Sequence, residues 1–281
     1  MSQAEKGQIF RRLHEGPGAF IIPNPWDAGS ARILAGVGFQ ALATTSAGFA
    51  FSRGRQDGEV TREDVLAHCR AIAEASDLPV SADLENCFGD DPKTVAETIR
   101  LAAATGIAGG SVEDASGDDT RPIYEHAHAV ERVAAAVEAA RALPFAFTLT
   151  ARAENFLHGR PDLDDTIRRL QAFAAAGADV LYAPGLTSLE QIREVCAAVA
   201  QKPVNVLAGI KGQNFPAAEL AAAGARRISV GGSLARAALG ALLRAARQMK
   251  EKGTFAFVNE AMPTAEVNKF MTVKGLTAGK D

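Results

Sequence analysis

Short apolar runs alternate along the chain with longer segments whose apolar positions recur every three to four residues. The runs are AFIIP, ALATTS, PVSADLE, GGSVEDA, FAFTLTARAE, DVLYAPG, PVNVLAG and RRISVGG. Each has the length of a short buried strand. The segments that follow, such as REDVLAHCRAIAEAS and DDTIRRLQAFAAAG, carry the period of a helix packed on one face. Glycine closes several of these helices just before the next strand, in AGVGFQAL, AATGIAGG, AAGADVL and AAGARRIS, where it accepts the left-handed cap conformation. Asp90-Asp91-Pro92 and Thr187-Ser188 read as helix starts. Strand and helix in eightfold alternation predict an all-parallel sheet, and eight strands close a (β/α)8 TIM barrel. The alternative is an open doubly wound sheet, which usually carries a glycine-rich phosphate turn after its first strand. Here Asn24-Pro25-Trp26-Asp27 stands in that place. The pattern therefore predicts an α/β protein of one barrel domain over residues 1–281. The barrel spans about 18–250. A C-terminal helical extension, 251–281, covers the barrel or reaches a neighbouring subunit.

Composition narrows the function more than the fold. With 281 residues and 47% apolar content the chain can bury a large core. The net charge is -3 with no basic stripe, which argues against a nucleic-acid partner. No apolar run reaches membrane-spanning length, and the start MSQAEKGQIF is too polar for a signal peptide. The three cysteines, Cys69, Cys87 and Cys196, are too few and too scattered for a disulfide framework. A cytoplasmic protein is the default expectation.

In such a barrel the chemistry sits at the C-terminal strand ends, so those residues matter most. Strand three ends in Asp83 and Glu85, which alternation puts on one face with Leu84 on the other. Strand four ends in Glu113 and Asp114, with Glu113 on the face of Ser111. On strand five Thr148, Thr150, Arg152 and Glu154 align. Four carboxylates then converge on one point, with Arg152 too little to balance them. Such a cluster raises its own pKa values unless something compensates it. An oxygen-seeking dication would, and Mg2+ takes one or two carboxylates and keeps several waters. Pairing of the acids with arginine or lysine at the rim is the plainer alternative. Arg152 also offers a planar fork for a carboxylate or phosphoryl group. Ser46-Ala47-Gly48 offers small residues and backbone N–H groups for an anion. The polar, glycine-bearing segment 51–59 reads as a mobile lid or as an ordinary connection. Cys87 is a candidate pocket residue set against the commoner buried, inert thiol. His158 is the histidine nearest the mouth in sequence, though a surface position suits it better.

These residues in this order resemble the isocitrate lyase/phosphoenolpyruvate mutase superfamily over roughly residues 18–240. The resemblance rests on Pro23-Asn24-Pro25-Trp26-Asp27, Thr44-Thr45-Ser46-Ala47-Gly48, Asp57-Gly58, Ala82-Asp83-Leu84-Glu85, Val112-Glu113-Asp114, Ala151-Arg152 and Asn205. It implies a barrel whose last helix is exchanged between subunits, in a homodimer or homotetramer. It also implies Mg2+, with Mn2+ as the alternative, and a small 2-oxo or hydroxy acid. By that likeness Asp83 ligates the metal directly, and Asp57, Glu85 and Glu113 hold its waters. The amides of Ser46, Ala47 and Gly48 take the substrate carboxylate with Arg152 as clamp. Trp26 walls the pocket, and Asn205 is a polar contact; apart from the likeness, Glu154 is a further candidate substrate contact or base.

The chain departs from the family pattern after strand four. Superfamily lyases carry Lys-Lys-Cys-Gly-His there, and mutases a Lys directly after the Glu-Asp pair. Here the loop reads Ala115-Ser116-Gly117-Asp118-Asp119-Thr120-Arg121-Pro122. The usual Asp-x-Asp of strand three is Asp-x-Glu. These departures disfavour isocitrate cleavage by the usual base and the phosphonate-forming rearrangement. What remains is a Mg2+-dependent C–C lyase, working by retro-aldol cleavage or decarboxylation through a metal-stabilised enolate. Asp57, Glu85 and Arg152 are its candidate catalytic residues. The alternatives are a P–C bond mutase or hydrolase and a non-catalytic 2-oxo acid binder. A phosphate-binding barrel built on Ala208–Gly212 and Val230–Ser233 and a Schiff-base aldolase using Lys211 are further rivals.

Overall fold

A computed structural model describes residues 1–210 and 215–272. Eight parallel strands form one sheet: β1 Phe20–Ile22, β2 Leu42–Ala43, β3 Val80–Ala82, β4 Gly109–Glu113, β5 Thr148–Arg152, β6 Val180–Tyr182, β7 Val204–Leu207 and β8 Arg227–Ser229. The order β1-β8-β7-β6-β5-β4-β3-β2 is that of a barrel opened between β1 and β2. That seam is bridged by Ala43 N–H donating to the Pro23 carbonyl (3.0 Å) and Asn24 Nδ2 donating to the Thr44 carbonyl (3.0 Å). The result is a nearly closed (β/α)8 TIM barrel. Its helices are α1 Gln3–Glu15, α2 Ala28–Val37, α3 Ser46–Ser52, α4 Arg62–Ala75, α5 Pro92–Ala103, α6 His126–Arg141, α7 Leu163–Ala175, α8 Leu189–Ala198, α9 Ala217–Ala222, α10 Ser233–Lys252 and α11 Thr264–Thr272.

Two cores hold the barrel together. The larger lies between strands and helices and includes Leu42, Ile72, Leu84, Ile99, Leu149, Leu170, Phe173 and Leu181, all fully buried. The smaller closes the N-terminal end, where Phe10, Phe20, Ile22, Ala41 and Ala108 meet. The strand interior above it is polar. Ser81, Ser111, Thr148, Thr150, Asn205, Arg227 and Ser229 are all buried.

Two elements flank the barrel, and only the first was absent from the sequence reading. Helix α1 precedes the expected barrel start. Its signal is a capping box in which Ser2 Oγ accepts from Glu5 N–H while Glu5 accepts from Ser2 N–H. It lays Phe10 and His14 across the barrel base, with ring centroids 4.7 Å apart and His14 edge-on to Phe20 at 5.0 Å. At the other end, α11 packs on α2, with Arg32 Nη1 donating to the Met271 carbonyl. Residues 264–272 thus cover the barrel's own flank.

Gly7 shows how tightly α1 is seated. A Cβ built there would lie 2.2 Å from the Ala146 carbonyl oxygen. Gly to Ala inside a helix ordinarily stabilises by about 1 kcal/mol. Here overpacking, at about 1–3 kcal/mol, should exceed that gain. Gly7→Ala is therefore expected to lower the urea midpoint of unfolding, and a raised midpoint would show that α1 is not docked at this carbonyl.

Candidate active site

The strand ends deliver the acids to one mouth, but not all by alternation. β3 stops at Ala82, and Asp83 is the first residue beyond it. Its N–H donates to Thr44 Oγ1 (2.8 Å), which fixes the chain as it leaves the strand. The backbone then turns tightly, with Glu85, Cys87 and Phe88 at φ of 51°, 61° and 62°. Such left-handed residues persist only where the surroundings over-determine them. Arg132 does so here. It is fully buried and donates to the carbonyls of Asn86, Gly89 and Asp90, while its guanidinium lies 4.3 Å from the Tyr124 ring centroid. Glu85 therefore reaches the mouth from a turn, not from the strand face that the sequence pattern assigned it.

Arg152, the last residue of β5, stands at the centre. Nη1 donates to Asp83 Oδ1 (2.8 Å) and Nε to Glu154 Oε1 (2.7 Å), while Nη2 lies 3.3 Å from Glu113 Oε2. The Tyr182 ring sits beneath, its centroid 5.1 Å away. Three of the four strand-end acids are thus locked to one arginine, and that arginine comes from a strand rather than a helix. Burial alone would lower the Arg152 pKa; Glu154, Glu113 and Asp83 together lift it well above its usual range. Behind this cluster Asp114 accepts from Glu154 N–H (2.8 Å) and from Arg169 Nη1 (3.1 Å), tying the ends of β4 and β5 together.

One guanidinium still does not balance the mouth. Burial first, then Asp83 and Asp57, push the Glu85 carboxyl up to about 8. Burial also raises Asp57, against a side-chain hydrogen bond from Ser46. Glu113 is raised well above the carboxylate range by burial, against the pull of Arg152. Glu85 Oε1 is buried without a hydrogen-bond partner. Acids in this state favour the protonated form.

A cavity of about 250 Å³ opens at this end, lined among others by Ser46, Ala47, Asp57, Asp83, Arg152, Asn205 and Arg227. Its size suits a small acid rather than a drug-sized ligand. A larger hollow of about 450 Å³ lies at the opposite end, around Arg11, His14 and Arg141, the face that serves stability in such barrels. Of the expected site residues, Glu85, Glu113 and Glu154 lie behind or beside the cavity wall. Trp26 and Gly48 are also outside its lining and pack on each other, a Cβ on Gly48 lying 3.1 Å from the Trp26 Cβ. The expected anion-binding amides are partly used: Ser46 N–H donates to Asp83 Oδ2 (3.1 Å) and Gly48 N–H to Thr45 Oγ1 (3.3 Å). Ala47 N–H has no acceptor among the described residues. The segment 51–59 begins as the end of α3 and continues as a loop held by Arg55 on Asp64 (3.0 Å). Cys87 is fully buried, its thiol pushed up to about 12 by burial, and His158 is exposed.

Some site residues were missed. Asn24 accepts from Val230 and Gly231 N–H (2.9 Å each), so these two amides, which a phosphate-binding barrel would use, are already engaged. Lys211 and Gly212 lie outside the described residues. Arg227 is the largest omission. A charge two residues before Ser229 in RRISVGG, on an inward strand position, was the available signal.

With this geometry in view, the comparisons decide the family. The family model described as phosphoenolpyruvate phosphomutase matches residues 10–250. The chain belongs to the isocitrate lyase/PEP mutase superfamily. Among its relatives, 2-methylisocitrate lyase of Salmonella typhimurium is 32% identical, over 73% of this chain and 70% of that protein. A solved structure from Burkholderia cenocepacia J2315, provisionally described as a lyase/mutase, is 60% identical with TM-score 0.94, covering 96% of this chain and 97% of that one. The structure of 2,3-dimethylmalate lyase is 28% identical with TM-score 0.84, covering 95% of each chain. Enzymes of this superfamily are thus its structural neighbours, and the chain is an enzyme of the same kind. No described helix is long and apolar enough to cross a membrane.

The raised carboxyls predict a pH slope. Glu85 binds its proton more tightly folded than unfolded. Its stabilising contribution is complete below the ordinary carboxylate range and is lost as pH rises toward about 8. In chelator-containing buffer the denaturant midpoint should fall between about pH 4.5 and about pH 8, and Glu85→Gln should flatten that fall. A midpoint that holds steady or climbs across this window would contradict the burial assigned to Glu85.

Proposed function

We propose that the protein is a Mg2+-dependent lyase that cleaves a C–C bond of a small 2-oxo or 2-hydroxy acid, with Mn2+ as an alternative ion. The observation that carries the reading is the cavity walled by Asp83, Asp57 and Arg152 above a surplus of buried carboxyls. The lyases among its relatives, of 2-methylisocitrate and 2,3-dimethylmalate, support C–C cleavage.

The donor set fits Mg2+. It is all oxygen, and Glu85 Oε1 is a buried acceptor without a partner. Among the described residues no three acids, thiols or imidazoles are already grouped so as to hold an ion. Asp83 would hold the ion directly, with Glu85, Glu113 and Asp57 holding its waters. When bound, the ion polarises a keto or hydroxy acid and stabilises negative charge as a bond breaks.

The chain's own residues supply the rest. Arg152 offers N–H groups to the substrate carboxylate, in exchange with its carboxylate partners, and the free N–H of Ala47 is a second donor. Asn205 adds an amide. Asp57 lines the cavity as the candidate general base, and burial raises its pKa above the ordinary carboxylate value. Glu85, whose carboxyl burial raises in the ion-free protein, is the second group able to carry the proton. Such a pair takes the place of the acid/base residue that the family carries after strand four. Here that loop closes on itself, with Ser116 Oγ donating to the Arg121 carbonyl (2.6 Å) and Thr120 N–H to Asp118 (2.8 Å). Retro-aldol cleavage uses this base; decarboxylation starts without one. A P–C bond mutase or hydrolase is the second reading, favoured by the family model. The exposed Leu239, Leu242 and Leu243 on α10 support exchange of that helix within a homodimer or homotetramer.

A panel of 2-oxo, 2-hydroxy and phosphonate acids assayed with Mg2+ tests the reading. Turnover of a carboxylic acid that EDTA abolishes is expected. Asp83→Asn should weaken Mg2+ binding beyond the roughly 10–100-fold typical of outer-sphere changes. Asp57→Asn should keep the ion and lose roughly 10²–10⁴ in kcat on a retro-aldol substrate. Normal Mg2+ binding by Asp83→Asn would overturn the metal assignment, and turnover of phosphonates alone would favour the second reading.

A further inference from the structure

Arg227 is a buried cation held by neutral groups. It opens β8 and turns into the barrel, 5% exposed. Nε donates to Asn205 Oδ1 (2.8 Å), Nη2 donates to Thr150 Oγ1 (3.1 Å), and Nη1 lies 3.5 Å from His14 Nε2. His14 Nδ1 stands 2.8 Å from the Phe10 carbonyl, which can only accept, so Nδ1 carries the proton and Nε2 faces Arg227 as an acceptor. Burial, then Arg227 itself, hold His14 down at about 3, so the imidazole is neutral. Among the described residues no carboxylate lies within ion-pair distance of Arg227, whereas Arg152 has three and Arg169 two. A buried charge without a counter-charge is costly, and an apolar side chain would fill the barrel at less cost.

What the charge decides is the direction of one amide. The two ends of the Asn205 side chain are alike in shape, but one donates and the other accepts. Ser229 Oγ accepts from Asn205 Nδ2 (2.9 Å), yet a hydroxyl donates as readily as it accepts, so Ser229 leaves both orientations open. Arg227 does not. Its N–H groups only donate, and a rotated amide would set NH2 against the buried Nε–H, leaving donors on both sides unsatisfied. Thr150 and His14 hold the guanidinium from β5 and from α1, so it does not turn with the amide. Oδ1 is thus fixed on Arg227. Nδ2 keeps a second hydrogen with no acceptor among the described residues, and Asn205 lines the same cavity as Asp57, Asp83 and Arg152.

We propose that Arg227 is a positioning residue: by holding Asn205 Oδ1 it turns the Asn205 Nδ2–H toward the cavity, as a donor to the bound acid. This rests on the reading of the cavity as an acid-binding site. An acid oxygen at this point meets a hydrogen in place of a lone pair. With the amide free to turn, the same position would present oxygen part of the time and repel the acid. His14 acts at one further remove, as the acceptor that steadies Arg227 from the base of the barrel.

Calorimetric titration of the full chain with pyruvate and with lactate, in Mg2+ buffer, tests this. Arg227→Met should weaken binding about tenfold or more, and Arg227→Lys, which keeps a charged donor, should restore most of it. A double-mutant cycle separates positioning from any other role. In an Asn205→Ala background Arg227→Met should cost little further, because the amide it aims is gone. A folded Arg227→Met protein with wild-type affinity, or equal losses in both backgrounds, overturns the role of Arg227 and leaves the acid site standing. Binding of neither acid by the wild type overturns both. If Arg227→Met does not fold, Asn205→Asp decides. Facing Arg227, the new carboxylate gains an ion pair, so the denaturant midpoint should rise while acid binding weakens. A midpoint at or below the wild-type value, or undiminished acid binding, overturns the proposal.

Discussion

A single guanidinium organises the mouth of this barrel. Arg152 joins the ends of β3, β4 and β5 by touching Asp83, Glu113 and Glu154 at once. Each of those acids follows or ends a different element, so their approach is a tertiary event that no local propensity dictates. Like charges brought this close repel, and burial removes the water that would screen them. Arg152 makes the convergence tolerable, and a second arginine one step outward, Arg169 on Asp114, repeats the arrangement. Buried ion pairs of this kind are weak evidence for stability, since desolvation consumes much of the attraction. Their value here is geometric: they fix the strand ends relative to one another.

The turn after β3 depends on that frame. Three left-handed residues within four positions would not persist in an isolated loop. Arg132 holds the carbonyls of the turn, and Thr98 Oγ1 donates to the Cys87 carbonyl (2.9 Å) from α5. The winding sets Asp83 and Glu85 in different surroundings, although only Leu84 separates them. Both Asp83 oxygens accept hydrogen bonds, while one Glu85 oxygen has none.

Much of this was legible in the sequence, and the exceptions share a cause. The eight apolar runs gave the eight strands because buried parallel strands read as short continuous apolar segments. Inward alternation correctly paired Ser111 with Glu113 and Thr150 with Arg152, since β4 and β5 are regular over five residues each. Glu85 broke the alternation because β3 ends three residues earlier. Helix α1 escaped notice although Ser2 and Glu5 signal its start; its few core residues, Phe10 and His14, are held by the barrel base rather than by a long apolar stripe. The engaged amides of Ser46, Val230 and Gly231 could not be read either, because their acceptors lie 37, 206 and 207 residues away.

The departures from the family pattern and the buried charges bear on the same question. A C–C lyase needs somewhere to put a proton and somewhere to put an electron pair. The loop after β4 holds no cysteine, histidine or lysine, so on the proposed reading the proton moves through groups already at the mouth. Asp57 and Glu85 are the ones whose burial favours the protonated form without an arginine locked to them in the structure. Glu113, though also raised, is held by Arg152. Thus the carboxyls divide into those that Arg152 restrains and those it leaves free. The restrained set shapes the site, and the free set remains available for proton transfer. On the proposed reading, the loop after β4 contributes no group to move the proton, while Arg152 still holds the ends of β3, β4 and β5 in place.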